Sequence, residues 1–417
     1  MKKKINLDFI KKTGKISNKT LVGLGNRKRH SQKSKYMVKM PRILTNIHNT
    51  IPTHFENNIR TNFDKSLGYI YSINYETGYY KRTDYLNTKL KSLGVDVFAA
   101  NFPHLIDVGI MGHCSHGKSG LCLKSGVQCY QDGLNIDKPN MTVDDFKKIA
   151  EQCKDLTFQF ALGGRGDPNE HESFEEILSI CRENHIIPNY TTSGFGLTDR
   201  QIELSKKYCG AVAVSWYRNN YTLSSIRRLI DAGIKTNIHF VLNVDTIAEA
   251  IFLLKTNSFP KGINAVVFLT HKPVGLGQKE KCLQFGMSEV KEMFQLIQNG
   301  GYPFKIGIDG CFVVGLLNSG LQFNMKYLDT CEATRFTCYI DADMIMHPCS
   351  FDVDNQYTVD LKDKTILEAW NSDVFNSIRL RLRKGCPECK NNKHCMGGCF
   401  LHNDIVLCPN KQGENMQ

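Results

Sequence analysis

From residue 101 onward, short apolar runs alternate with segments whose apolar residues recur at helical spacing. The runs are Leu105–Met111, Leu156–Leu162, Ile187–Thr191, Ala211–Trp216, Thr236–Leu242 and Ala265–Leu269. The first, fourth and sixth are rich in Ile and Val, as strands buried on both faces are. Between the runs, Val143, Phe146, Ile149, Ala150 and Cys153 keep the 3–4 residue period of a helix face. Phe174, Ile177, Leu178 and Cys181 do the same, as do Leu223, Ile226, Leu229 and Ile230, and then Ile247, Ala250, Ile251 and Leu254. Capping-box patterns mark helix starts at Thr142/Asp145, Ser173/Glu176, Thr198/Gln201 and Thr246/Glu249. Gly233 stands where a glycine just past a helix end is expected. Six strand–helix units in a row predict an α/β fold, a parallel sheet with helical crossovers. Six are too few to close an eight-stranded barrel. An open or partial barrel is therefore expected, with its site in the loops after the strand carboxyl ends.

The flanks read differently. Residues 45–100 are mixed, with a predicted hairpin of Tyr69–Ile73 and Tyr79-Tyr80 turned at Glu76-Thr77-Gly78. After Gly300 the alternation stops, and residues 301–417 carry 9 of the 16 cysteines. Within them a helical stretch, from Ile366 through Trp370 to Ile378, separates two cysteine groups. The expected organisation is a tail over 1–44, an extension over 45–100, a barrel over 101–300 and a cysteine-rich domain over 301–417.

Composition changes this picture in two ways. The 417 residues, 41% hydrophobic and 23% charged, suit a globular chain of two or three domains. No stretch approaches the ~18 apolar residues of a membrane span. The start, Met1-Lys2-Lys3-Lys4, leads into a short apolar segment broken by Asp8, unlike a secretory signal, so a cytoplasmic protein is expected. The first unusual number is the net charge of +12. Residues 1–44 hold 14 Lys/Arg and one acid, which leaves a net −1 for the rest. The basicity belongs to this arm, which reads either as a solvated tail or as an attraction site for an acidic peptide or nucleic acid. With only Phe9 and Tyr36 as aromatics, it offers little surface for stacking bases.

The second is the cysteine count. A large chain expected in a reducing compartment has little use for disulfides, and cysteines this dense more often bind metal. Cys386, Cys389, Cys395, Cys399 and Cys408 follow the spacing C-x2-C-x5-C-x3-C-x8-C, with Cys331, Cys338 and Cys349 upstream. Eight thiols match two sites of four, and four-thiolate sites mean zinc or iron–sulfur. A separate set, Cys114, Cys122 and Cys129, follows the first strand at its carboxyl end in a glycine-rich loop. Three thiolates on a four-iron cubane leave one iron open for chemistry. The alternative is three ordinary thiols, or a structural metal shared with His113 or His116. Gly163-Gly164-Arg165-Gly166-Asp167-Pro168, directly after the second strand, lets a ligand meet bare backbone.

Together these residues resemble the radical S-adenosylmethionine (SAM) superfamily, and among its members those with a carboxyl-terminal SPASM domain. The resemblance covers about residues 101–417. It implies a partial (β/α)6 TIM-like barrel followed by a small cysteine-rich iron–sulfur domain. Gly163, Gly164, Gly166 and Asp167 match the glycine motif that holds the SAM amino group, with Asp where Glu is usual. Ser215 matches the fourth-strand serine near the SAM ribose. Trp370-Asn371-Ser372 is similar to the helix before the second half of SPASM. Three [4Fe–4S] clusters are implied. Cys114, Cys122 and Cys129 would hold the SAM-binding one, Cys331, Cys338, Cys349 and Cys399 an auxiliary one, and Cys386, Cys389, Cys395 and Cys408 the other. Two departures stand out. The first motif is C-x7-C-x6-C in place of C-x3-C-x2-C, and Met344 replaces a glycine five residues before Cys349.

The activity so implied is reductive cleavage of SAM to methionine and a 5′-deoxyadenosyl radical that abstracts hydrogen from substrate. A peptide or protein substrate is the expected partner, of the kind taken by peptide natural-product or sulfatase maturases. An electron donor such as flavodoxin or ferredoxin would supply the cleaving electron. The extension over 1–100 would serve a leader peptide, and no membrane partner is expected. A non-catalytic iron–sulfur or zinc protein with a degenerate SAM site is the alternative. Nucleic-acid modification is a third reading, which the basic arm permits and the SPASM resemblance argues against. Cys311 is a spare thiol near the domain junction, a catalytic candidate as hydrogen donor or substrate contact, or simply buried. Cys153, Cys181, Cys209 and Cys282 read as structural, and His171 as a helix-start residue.

Overall fold

A computed structural model describes residues 47–84, 97–117 and 119–412. The basic arm lies outside the described residues. Four strands come first: β1 (Thr53–Glu56), β2 (Ile59–Asp64), β3 (Tyr69–Asn74) and β4 (Tyr80–Asp84) form an antiparallel meander. The predicted hairpin is its second half, with Ile73 opposite Tyr80. Asn74 Oδ1 accepts from the Glu76 and Thr77 amides, at 2.9 and 2.8 Å, and fixes the turn. Strands β1 and β2 carry too few apolar residues to announce themselves in the sequence.

The second sheet has ten strands. They are β5 (Leu105–Met111), β6 (Gln159–Gly164), β7 (Ile187–Thr192), β8 (Val212–Ser215), β9 (Thr236–Leu242), β10 (Ala265–Thr270), β11 (Lys305–Ile308), β12 (Thr337–Ile340), β13 (Ile345–His347) and β14 (Val359–Asp360). Their order is β11-β10-β9-β8-β7-β6-β5-β12-β13-β14. From β11 to β12 every neighbouring pair is parallel. Only β13 and β14 add antiparallel. The six predicted strands are β5 to β10, one after another in space, and the sheet stays open at both edges. It also runs past Gly300. Strand β11 joins one side and β12 the other, where four-residue runs in a cysteine-rich stretch give little periodic signal.

The crossovers are α1 (Val143–Cys153), α2 (Phe174–Glu183), α3 (Asp199–Tyr208), α4 (Asn220–Asp231), α5 (Ile247–Thr256) and α6 (Ser288–Asn299). Their apolar faces bury Phe146, Ile149, Ile177, Leu178, Ile226, Leu229 and Ala250 against the outward face of the sheet. Each large side chain so buried contributes about 1.5–3 kcal/mol. Thr142 caps α1, and Thr198 with Gln201 makes a full capping box on α3. Ser173 and Thr246 do not cap by side chain. The Thr246 hydroxyl instead donates to Val241 O at 2.7 Å and accepts from Asn243 N at 3.0 Å, closing the turn after β9. Gly233 has φ +79°, the left-handed position expected past the end of α4.

Along β6, β7 and β9, buried residues alternate with half-buried ones. The half-buried set faces the barrel interior. Gln159, Asn189, Thr191, Asn237 and His239 line a cavity of about 390 Å³ there. The meander closes its lower end through Tyr75, Thr77 and Gly78. Two buried groups dock it. Arg60 is fully buried; its guanidinium donates to Thr157 O at 2.8 Å and His185 O at 3.0 Å and lies 4.2 Å over the Phe158 ring. His104, just before β5, meets Tyr69 Oη at 2.9 Å and Tyr80 Oη at 2.6 Å and stacks on Tyr71. Burial, then the nearby Arg82 and Arg60, hold His104 well below the ordinary imidazole range.

The carboxyl-terminal part adds α7 (Gly310–Asn318), α8 (Ile366–Trp370) and α9 (Asp373–Lys384). The predicted stretch from Ile366 to Ile378 is thus two helices, broken where Ser372 caps α9. Trp370 is buried, its Nε1 donating to Ala100 O at 2.9 Å. Met344 has φ +67°, so the turn keeps the left-handed shape a glycine would favour. Among the described residues, no helix is long and apolar enough to cross a membrane.

Candidate functional site

The stretched cysteine loop lies over the carboxyl ends of the strands and is pinned by the turns that follow them. Arg165 Nε donates to Gln131 O at 2.8 Å, and Arg218 Nη1 to Ser125 O at 2.6 Å. Leu276 N donates to Cys129 O at 2.9 Å, and Gln278 N to Gln128 Oε1 at 2.8 Å. Arg218 is itself held by Glu249, which also accepts from Trp216 Nε1 at 3.0 Å. Turns after β6, β8 and β10 therefore share the work of folding one loop back on itself.

The result is convergence of the three thiols. A Cβ placed on Gly133 would lie 3.6 Å from Cys114 Sγ and 3.7 Å from Cys129 Sγ. Cys122 feels both of the other two sulfurs, and Tyr217 Oη stands 3.2 Å from its Sγ. Ser215, at the end of β8, lies beside the same hydroxyl. Burial raises Cys114 above the ordinary thiol range and Cys122 to about 11, where the Tyr217 hydrogen bond works the other way. Such thiols keep their protons until a metal displaces them.

The glycine loop divides into two roles. Gly164 (φ +109°) and Gly166 (φ +120°) are backbone requirements. A side chain on Gly164 would strike Met111 O, and one on Gly166 would come within 2.6 Å of His113 O. They let β6 approach the cysteine loop. Gly163 has nothing within 4 Å of its Cβ position, so a bare backbone faces open space near the carboxyl end of β6. Asp167 does not point into that space freely. Its carboxylate accepts from Thr192 Oγ1 (2.9 Å), Ser193 N (2.8 Å) and Ser193 Oγ (2.7 Å).

Sequence reasoning named His116 only as a possible ligand of a structural metal and missed the rest of the wall around this space. His116 Nε2 lies 3.5 Å from Asp167 Oδ2 and 3.3 Å from Glu170 Oε1, and these carboxylates raise it to about 10. Phe195 meets His116 and Tyr221 edge-on at 5.2 and 5.3 Å. The Tyr221 hydroxyl is buried beside Asn219 with no well-formed hydrogen bond, within reach of Cys122 and Asp167. Three gathered thiols, an uncovered glycine and a buried hydroxyl short of a good hydrogen bond fit a cluster and an organic ligand bound side by side. Scattered single aromatics carry no motif, so no signal in the chain marked them.

Among the described residues, no three His, Cys, Asp or Glu groups converge tightly enough to hold a single metal ion. A cubane keeps its thiolates farther apart than one ion does, so wider groupings of sulfur suit a cluster. The tail contains two. Cys395 lies within electrostatic reach of Cys386, Cys389 and Cys408. Gly385, Met396, Gly397 and Gly398 all have positive φ and curl the chain there. In the other group stand Cys331, Cys349 and Cys399 together with Cys311. Cys338 is elsewhere. It sits on β12 opposite Ile106, 2% exposed, near Cys153 and Arg379. Cys153, Cys181 and Cys282 are buried, and Cys209 half-buried. His171 takes the Ser173 amide on Nδ1 at 3.0 Å just before α2.

No protein-family profile and no curated protein matches this chain. Solved structures do. Streptococcus suis SuiB bound to S-adenosylmethionine superposes with a TM-score of 0.58 at 16% identity, over 87% of this chain and 98% of that one. SuiB bound to its precursor peptide SuiA gives 0.57 at 18%, over 75% of each chain. Native anSMEcpe, with bound AdoMet and the Cp18Cys peptide, gives 0.53 at 16%, over 75% of this chain and 94% of that one. The chain shares the fold of these structures, an open, largely parallel α/β sheet of the partial-barrel kind.

In this fold the two candidate regions touch. Tyr130, next to Cys129, packs at 4.7 Å against Phe351, two residues past Cys349. The Lys272 ammonium lies 4.6 Å over the same Phe351 ring.

Proposed function

We propose that this protein is a radical SAM enzyme acting on a peptide. The carrying observation is the convergence of the three thiols, Cys114 and Cys129 at Gly133 and Cys122 within electrostatic reach of both, against the glycine loop at Gly166. Bound there, a [4Fe–4S] cluster and SAM would supply a 5′-deoxyadenosyl radical for hydrogen abstraction. The chain's own residues have simpler tasks. The three thiols ligate, Gly163 admits the ligand to the backbone, Asp167 and His116 form a charged pair at its polar end, and Phe195 and Tyr221 shield it from water. Ser215 stands with Tyr217 at the far side of the thiols. Cys386, Cys389, Cys395 and Cys408 suit one auxiliary cluster, and Cys331, Cys349 and Cys399 suit three corners of another. Flavodoxin or ferredoxin would deliver the electron.

The peptide reading is supported by the solved neighbours, which hold a precursor peptide and the Cp18Cys peptide. The charge of the basic arm suits an acidic leader segment. The test is anaerobic reconstitution, with iron, sulfide and zinc measured per chain. About twelve irons are expected for three clusters, and about eight if only the tail is loaded. With SAM and dithionite, 5′-deoxyadenosine should form. Production no higher than in Cys114→Ala would overturn the enzymatic reading and leave a metal-binding protein.

A further inference from the structure

We infer that Cys311, and not Cys338, is the fourth thiolate of the auxiliary cluster site formed with Cys331, Cys349 and Cys399. The inference rests on the iron–sulfur reading above and adds to it one ligand that the linear spacing hides.

Cys311, Cys331, Cys349 and Cys399 all stand within electrostatic reach of one another. Cys399 is the sulfur that acts most strongly on Cys311. Independent contacts fix the four in place. A Cβ on Gly310 would sit 3.1 Å from Thr330 O and 3.4 Å from Cys331 N, so the start of α7 lies against Cys331. His402 N donates to Cys399 Sγ at 3.3 Å while its Nε2 meets Phe351 O at 3.0 Å, tying the Cys399 turn to the Cys349 turn. Arg335 Nη1 donates to Cys331 O at 3.0 Å.

The surroundings suit an anionic cluster. Cys311 is the second residue of α7, whose amino end, capped by Asp309, favours negative charge. Lys272, buried beside Cys311 and Cys349, adds a fixed cation. Cys338 has neither. Strand alternation decides this. Thr337 and Tyr339 face the other way, while Cys338 shares with Ile106 the face packed under α1 and α9. None of the four gathered sulfurs is among its neighbours.

The experiment uses the full chain, reconstituted anaerobically and then stripped of iron, with thiol alkylation read by mass spectrometry in both states. Cys311 should be labelled at least about 10-fold less in the loaded form, alongside Cys331, Cys349 and Cys399. Cys338 should be equally unreactive in both. In parallel, Cys311→Ala should lose about four irons per chain or change the paramagnetic resonance of one reduced cluster, while Cys338→Ala keeps the full content. The inference is overturned if Cys311 labels equally in both states, if Cys338→Ala is the variant that loses iron, or if anaerobic protein holds a Cys311–Cys399 disulfide. Parent protein that takes up no iron would sink the cluster reading itself, a result distinct from all three. The labelling arm needs no variant and stands even if Cys311→Ala misfolds.

Discussion

Lys272 Nζ lies 2.8 Å from Asp309 Oδ2, joining the end of β10 to the first turn of α7. Burial opposes the lysine's charge, but Asp309 outweighs it, and the net direction is up. Asp309 also accepts from Thr270 N, Thr270 Oγ1 and Phe312 N, each at 2.9 Å. Lys272→Met leaves this carboxylate without its counter-ion and should cost about 3 kcal/mol. Urea denaturation of the variant measures it. A loss below about 1 kcal/mol would mean that the pair is not the clamp described here.

Gly163 and Gly166 should respond in opposite ways. Gly163→Val adds a side chain in open space on a strand, so stability should change by no more than about 0.5 kcal/mol. SAM binding by equilibrium dialysis should nevertheless weaken by about 10-fold or more, because the added side chain occupies the ligand's approach to the backbone. Gly166→Ala should instead destabilise by about 2–3 kcal/mol, from positive φ and collision with His113 O. Unchanged SAM affinity in Gly163→Val would remove this face from the site.

Gly133 lies beneath two of the loop thiols, Cys114 and Cys129. Gly133→Val places carbon within 3.0 Å of Cys114 Cβ and against two sulfurs. The variant should reconstitute with about four fewer irons per chain and yield no 5′-deoxyadenosine. Full iron content would show that the thiols gather elsewhere.

His239 gives the barrel an acid limit. Burial lowers its imidazole to about 4, while in the unfolded chain it titrates near its ordinary ~6.5. The native state thus holds it neutral. Below pH ~6.5 the unfolded chain binds the extra proton, and stability falls as pH drops towards 4. The loss attributable to this one group is about 2 kcal/mol at pH 5. His239→Gln should show a smaller drop in urea midpoint between pH 7.5 and 5 than the parent. Equal drops in both proteins would assign the acid sensitivity to other groups.

Much of this fold was legible because its determinants are local. Strands β5 to β10 and the helices between them follow from periodicity and caps. Thr236–Leu242 matches its predicted run to the residue. Strands β11 and β12 did not show, since runs of four residues in a cysteine-rich stretch carry almost no period.

The chain alone suggested which residues could ligate: eleven of sixteen thiols in recognisable groups, and a glycine loop after the second strand. Which thiols share a site was decided in three dimensions. Cys122 reaches Cys114 and Cys129 only because turns after β6, β8 and β10 hold the long loop down. Cys338 stays in the core because strand alternation turns it under α1 and α9, while Cys311, far upstream in the chain, arrives at the start of α7. Spacing along a chain constrains distance only within one loop or helix; between elements, the packing of the sheet sets it.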